Sequence, residues 1–174
     1  VGNLMSRASD GEFQANFRTN SFMNTLKAYN TLGCLPMANI VEPTEFSPID
    51  STAEAVITLA GTPDKFTVFH ADNNHTVDMA NVIDAMNACG LDIKIVKQAE
   101  FQKRFDEVMH DEKRNASISS LIAYLGNDSS RRFIASNNTF TLAVLNVLGF
   151  RWPIITEEYI EKAIKALKSM DFFD

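Results

Sequence analysis

Two short runs of aromatic and β-branched residues, 66–70 (Phe-Thr-Val-Phe-His) and 93–97 (Ile-Lys-Ile-Val-Lys), flank one stretch of helical period. This alternation constrains the fold more than any other feature of the chain. The stretch between them carries Val82, Ile83 and Met86 on one face, with Thr76 as its expected cap and Gly90 as its stop. Antiparallel neighbours need only a tight turn, whereas two strands separated by a helix of about 13 residues pair in parallel through a crossover. The pattern therefore predicts an α/β chain with at least one parallel pair.

On either side of this unit the reading is mostly helical. Phe22, Leu26 and Tyr29, with Met23 beside them, predict a helix over 20–32 that stops at Gly33, before an irregular stretch over 35–43. Glu45-Phe46-Ser47 reads as extended, because Pro48 disfavours helix in the residue before it. Asp50 or Ser51 is expected to cap the next helix, with Ser51 and Glu54 forming a capping box. Its apolar face is expected at Ala53, Val56, Ile57 and Ala60, and Gly61-Thr62-Pro63 ends it.

From Glu100 onward only helices are expected. They are marked by Phe101, Phe105, Val108 and Met109; by Ile118, Leu121, Ile122 and Leu125; by Leu142, Leu145 and Leu148; and by Ile160, Ala163, Ile164 and Leu167 after a Thr156 cap. Glu158 with Lys162, and Glu161 with Lys165, stand in the favourable order for i,i+4 pairs. The chain divides into a mixed α/β part over 1–98 and a helical lobe over 99–174, within a single unit that has no linker or internal repeat. Val1-Gly2-Asn3-Leu4 reads as the end of a strand entering a loop, as if cut inside an element.

Charge and composition exclude several functions. A net charge of -6 and the absence of a basic stripe exclude a nucleic-acid site. No apolar run approaches the ~18 residues of a membrane span, and no signal peptide is present, so a cytoplasmic location is expected. The two cysteines, Cys34 and Cys89, are expected to be reduced and partly buried. Thirteen Phe imply a core packed with rings, or an apolar surface that something else covers.

The motifs of a self-sufficient enzyme are missing. No two of the seven glycines are spaced for G-x-G-x-x-G, and no phosphate-cradling G-x-x-x-x-G-K occurs. A Tyr proton donor with Lys four residues later is absent too, since Tyr29, Tyr124 and Tyr159 have Gly33, Asp128 and Ala163 at that offset. There is no G-x-S-x-G and no H-E-x-x-H. His70, Asp72 and His75 read as a polar strand-to-helix loop rather than a metal site, given the strict geometry that ligands need. His110, late in a helix, reads as a partner of the helix dipole.

An ordered set of short motifs resembles a known family. Val1-Gly2-Asn3-Leu4 is followed by Ser9-Asp10-Gly11-x-Phe13-Gln14-x-Asn16. Next comes Glu45-Phe46-Ser47-Pro48-Ile49-Asp50-x-x-Ala53-x-Ala55-Val56, then the 66–70 run, then Gly90 and Glu100-Phe101. Leu148-Gly149-Phe150-x-Trp152-Pro153 and Thr156-x-x-Tyr159-Ile160 close the set. In this order they resemble the carboxy-terminal part of the thioester reductase domain, an extended short-chain dehydrogenase/reductase found at the ends of nonribosomal peptide synthetases.

The resemblance implies a helix-rich α/β fold: the last strands of a partial Rossmann-like sheet plus a helical substrate-binding lobe. It implies the release of a carrier-bound peptidyl or acyl thioester as an aldehyde or alcohol by NADPH. The cofactor-binding half and the catalytic pair would lie upstream, so the fragment alone is expected to be inactive and without cofactor. Gly2 and Asn3 match the loop near the nicotinamide, and Asp10, Gln14, Asn16 and Asn20 match the substrate mouth. Asp10 as a turn residue and Asn20 as a helix cap are readings of equal standing, and for Asp50 the cap reading is preferred. The implied partners are the upstream half and a phosphopantetheinyl carrier domain. Strand edges and rings left uncovered would favour a homodimer. A part of a nucleotide-sugar epimerase or dehydratase, and a non-catalytic docking module, remain as competing readings.

Overall fold

The computed structural model describes residues 1–63, 65, 68–121 and 137–174. Six α-helices, three short 3-10 helices and six short strands are defined among them. The strands form three two-stranded pairs rather than one sheet: β1 (Leu4–Met5) lies parallel to β4 (Ser47–Pro48), β2 (Cys34–Pro36) lies parallel to β6 (Lys94–Val96), and β3 (Pro43–Glu45) runs antiparallel to β5 (Thr76–Asp78).

The larger core is helical. In α1 (Ser21–Leu32) the Asn20 side chain accepts the main-chain N–H groups of Phe22 at 2.9 Å and Met23 at 3.1 Å, satisfying two of the unpaired donors at the helix start. Met23, Leu26, Ala28, Tyr29 and Leu32 then face inward. α3 (Met79–Ala88) packs on α6 (Glu157–Ser169), and α1 packs on α4 (Gln98–Met109). Thr156 caps α6 by accepting the Tyr159 N–H at 3.2 Å, as expected. Phe172 closes this core, with its ring centroid 5.6 Å from that of Phe17. A smaller core joins α2 (Ile49–Ala60) to α5 (Thr139–Val147) through Ala55, Leu59, Ala71, Leu145, Phe150 and Trp152.

Several expectations are corrected. The parallel partner of β6 is β2, in a stretch read as irregular, and not the 66–70 run. All three residues of β2 are buried, so the alternation that reveals a half-exposed strand is missing there. Phe66 and Thr67 lie outside the described residues, and 68–70 form no strand. Val68 is exposed, Phe69 stacks on Phe140 at 5.9 Å, and the His70 N–H goes to the Thr141 hydroxyl at 2.9 Å. Residues 69 and 70 are thus held by contacts with α5.

Thr76 does not cap α3. It belongs to β5, whose ladder with β3 occupies the backbone up to Asp78, so the helix starts at Met79. The Ser51–Glu54 capping box does not form, because α2 starts earlier, at Ile49 after Pro48, with no side-chain cap. The expected face of α2 is reversed as well. Thr52, Ala55 and Leu59 are buried, while Ala53, Val56, Ile57 and Ala60 face outward, Ile57 at 74% exposure. Leu148 is also exposed rather than inside. Lys162 reaches the Ala8 carbonyl at 3.4 Å, whereas Glu161 and Lys165 pair at 2.6 Å as expected. Ile118 and Leu121 are buried in the place expected of them, and Ile122, Tyr124, Leu125 and Arg131-Arg132 lie outside the described residues.

Candidate functional site

Five of the expected site residues, Gly2, Asn3, Asp10, Gln14 and Asn16, lie in the first sixteen residues. The Gly2 N–H donates to the Ala71 carbonyl at 3.2 Å, and the Asn3 carbonyl accepts the Ser47 N–H at 3.0 Å, continuing the β1–β4 ladder. The Glu45 carboxylate lies under this loop. It accepts the Asn3 N–H at 2.6 Å and the Ser47 hydroxyl, while the Ser47 oxygen accepts the Asn73 N–H at 3.0 Å. The Asn73 side chain donates to the carbonyls of Phe46 at 2.9 Å and Pro153 at 3.1 Å, tying in the segment that leads to α6. Burial pushes the Glu45 carboxyl above its usual range, and the hydrogen bonds from Ser47 and Asn3 only partly oppose this.

Gly2 has a specific reason here. A Cβ on it would meet both Glu45 carboxylate oxygens at 2.6 Å and the Ser47 hydroxyl at 2.7 Å. The space beside Gly2 is thus filled by the chain's own side chains.

After β1 the chain turns over residues 6–12. Arg7 pairs with Asp10 at 2.6 Å and with Glu12, and Asp10 also accepts the Glu12 N–H at 3.0 Å. That main-chain bond, then the Arg7 contact, hold the Asp10 carboxyl below its usual range. The turn is anchored from two helices. Asp50 accepts the N–H groups of Ala8 at 3.0 Å and Ser9 at 3.1 Å, as well as that of Ser51 at 3.0 Å. Burial would raise the Asp50 carboxyl, yet the three N–H groups together hold it below the usual range. From α6, the buried Tyr159 hydroxyl donates to the Ser6 carbonyl at 2.9 Å. Burial raises the Tyr159 hydroxyl far above its ordinary range, so it keeps its proton.

Of the expected substrate-side residues, Asp10 and Asn16 are exposed, and the Gln14 side-chain oxygen is buried without a hydrogen-bond partner. Asn20 is committed to its cap. Reasoning from sequence missed Glu45 and Asn73 as centres of hydrogen bonding. A Glu two residues before a Ser in an extended stretch was the signal available for Glu45. Among the described residues no group of His, Cys, Asp and Glu is arranged to hold a metal ion, and Cys34 and Cys89 are free thiols. No helix among the described residues is long and apolar enough to cross a membrane.

No family profile matches the sequence, and no curated protein matches it. Solved structures do. A thiolation-reductase di-domain from an archaeal nonribosomal peptide synthetase is 34% identical over 100% of this chain, with a TM-score of 0.82. The aureusimine biosynthetic cluster reductase domain is 20% identical over 98% of the chain, with a TM-score of 0.78. The reductase domain of a nonribosomal peptide synthetase from Mycobacterium tuberculosis is 14% identical over 97%, with a TM-score of 0.69. The last two share the fold. The chain spans 36% of the archaeal protein and 44% and 45% of the other two. In sequence and in fold, this chain is similar to a part of the reductase domains of nonribosomal peptide synthetases.

Proposed function

We propose that this chain is the substrate-binding portion of an NADPH-dependent reductase that releases a carrier-bound peptidyl or acyl chain as an aldehyde or alcohol. The observation that carries this reading is the match at 34% identity, over the whole chain, to a protein in which thiolation and reductase domains are joined. NADPH, held by the upstream half, would supply the hydride that takes the thioester to the aldehyde level, with the carrier thiol as the leaving group. The cofactor and the proton donor are held outside this chain. Tyr159 is buried and donates to Ser6, and neither described tyrosine, Tyr29 or Tyr159, has a Lys four residues on.

The substrate surface is the 6–16 segment, with Asp10, Gln14 and Asn16 facing the phosphopantetheine arm. Gly2 and Asn3 lie at its cofactor side, and the partners are the upstream half and the carrier domain. The test uses a carrier loaded with an acyl thioester. The complete reductase domain is expected to consume NADPH and release aldehyde or alcohol. The isolated chain is expected to do neither and to bind NADPH no more tightly than about 10 μM, or ~7 kcal/mol. Turnover or tight NADPH binding by the isolated chain would overturn the assignment of the chemistry to the upstream half.

A further inference from the structure

Asp50 makes more hydrogen bonds than a helix start requires. An acidic residue in the first turn of a helix takes a free N–H of that turn, and Asp50 does so with Ser51 at 3.0 Å. Its two oxygens also cross to a segment 41 and 42 residues away, accepting Ser9 N–H and Ala8 N–H at 3.1 and 3.0 Å. Consecutive main-chain donors on one carboxylate fix both the position and the direction of the peptide that carries them. The same turn is held on its carbonyl side by α6, through Tyr159 at Ser6 and Lys162 at Ala8. Its tip is closed internally by Arg7, Asp10 and Glu12. Residues 6–12 thus form a strap held between two helices, and the chain runs from it directly into Gln14 and Asn16.

Two side chains on this stretch carry buried polar atoms without a partner, the Ser6 hydroxyl and the Gln14 carbonyl oxygen. Leaving such atoms unpaired costs stability. The strap is therefore held in place by its main chain and by Asp50, while part of its own side-chain hydrogen-bonding capacity is unused.

We propose that Asp50 is a positioning residue for the substrate mouth, setting the course of Asp10, Gln14 and Asn16 through the main chain of Ala8 and Ser9. This rests on the reading of the 6–16 segment as the surface that meets the carrier arm. Asp50 touches no substrate itself. A residue that only capped α2 would show its effect in helix stability. Asp50 instead controls how the strap meets a bound arm.

Two measurements separate this role from a purely structural one. Hydrogen exchange on this chain reads the strap without any activity. In Asp50→Ala the amides of Ala8 and Ser9 exchange about tenfold faster or more, as expected for losing a charge-assisted hydrogen bond, while α1 and α3 keep their protection. Kinetics on the complete reductase domain then read the consequence. KM for the carrier-bound thioester rises about tenfold, the NADPH dissociation constant stays unchanged, and Asp50→Asn, which keeps one acceptor oxygen, recovers part of the loss.

If Asp50→Ala does not fold, Tyr159→Phe releases the strap from its other side and is expected to give the same split between KM and cofactor affinity. Unchanged exchange at Ala8 and Ser9, or faster exchange with an unchanged KM, would overturn the proposal. If the wild-type domain reduces no carrier-bound thioester, the proposed function fails, and with it the substrate role of the strap. The exchange result then still reports whether Asp50 holds the strap.

Discussion

The Glu45 carboxylate takes the main-chain N–H of Asn3 at 2.6 Å across 42 residues of sequence, and with the Ser47 hydroxyl it fastens the amino-terminal loop to the strands beneath. The arrangement gives stability a particular pH dependence. Burial raises the folded-state pKa of Glu45 above its ordinary value, so the folded chain binds this proton more tightly than the unfolded chain. The contribution is fully present below the ordinary Glu value and is lost as pH rises through the folded pKa. Glu45→Gln lacks this titration. The difference in stability, wild type minus Glu45→Gln, is therefore expected to grow as pH falls from about 8 to about 4. Urea denaturation of both proteins at several pH values checks it. A difference independent of pH would mean that Glu45 is not titrating in this window.

The outward face of α2 leads to a second prediction. Val56 and Ile57 are exposed at 45% and 74%, on a helix whose opposite face already fills the smaller core. If the remainder of the reductase domain covers this face, Ile57→Asp destabilises the complete domain by roughly 1–3 kcal/mol through a buried unpaired charge. The isolated chain is expected to change by no more than about 0.5 kcal/mol, as an exposed site does. In the isolated chain the same substitution is expected to weaken any self-association seen by sedimentation. Thermal melts of both proteins, run with and without the substitution, test the first part.

Asn20 separates two roles that its sequence context left equal. Its side-chain oxygen is occupied by the Phe22 and Met23 amides, so Asn20→Ala is expected to cost about 1 kcal/mol of stability and Asn20→Asp much less. KM for a carrier-bound substrate is expected to stay unchanged at a temperature where the variant remains folded. A rise in KM without a loss of stability would return Asn20 to the substrate surface.

The helices were legible in the sequence because each buries one stripe. Met23, Leu26 and Tyr29, then Phe101, Phe105 and Val108, then Ile160, Ile164 and Leu167 recur at helical spacing and are buried. α2 was misread because it is apolar on two faces. Val56 and Ile57 compete with Ala55 and Leu59, and hydrophobicity alone cannot say which face the chain itself covers. The strands are two or three residues long, too short for alternation, and β2 is buried throughout. For Gly2, Asn3, Asp10, Gln14 and Asn16 the sequence offered only the motif that suggested a site role. The bonds from Asp50 to Ala8 and from Glu45 to Asn3 each span 42 residues, a separation that no local pattern reveals.

Two glycines give the last prediction, because they are required for different reasons. Gly149 has φ +88 and nothing within 4 Å of an added Cβ. Gly149→Ala is then expected to cost roughly 1–2 kcal/mol, from the left-handed backbone alone. Gly2 is required by contact. Its added Cβ would overlap the Glu45 carboxylate and the Ser47 hydroxyl, and neither can swing away freely. Glu45 is held by Asn3 and Ser47, and Ser47 in turn by Asn73. Gly2→Ala is expected to cost roughly 1–3 kcal/mol, as overpacking does. The two sites respond differently to a second change. Shortening the obstacle with Glu45→Ala relieves part of the Gly2→Ala defect, so the two substitutions are non-additive. Glu45→Ala combined with Gly149→Ala is expected to be additive within about 0.5 kcal/mol, as for sites that share no contacts. Denaturant melts of the three single and two double variants measure both couplings. Equal coupling in the two pairs would mean that Gly2 is present for its backbone and not for the space that Glu45 fills.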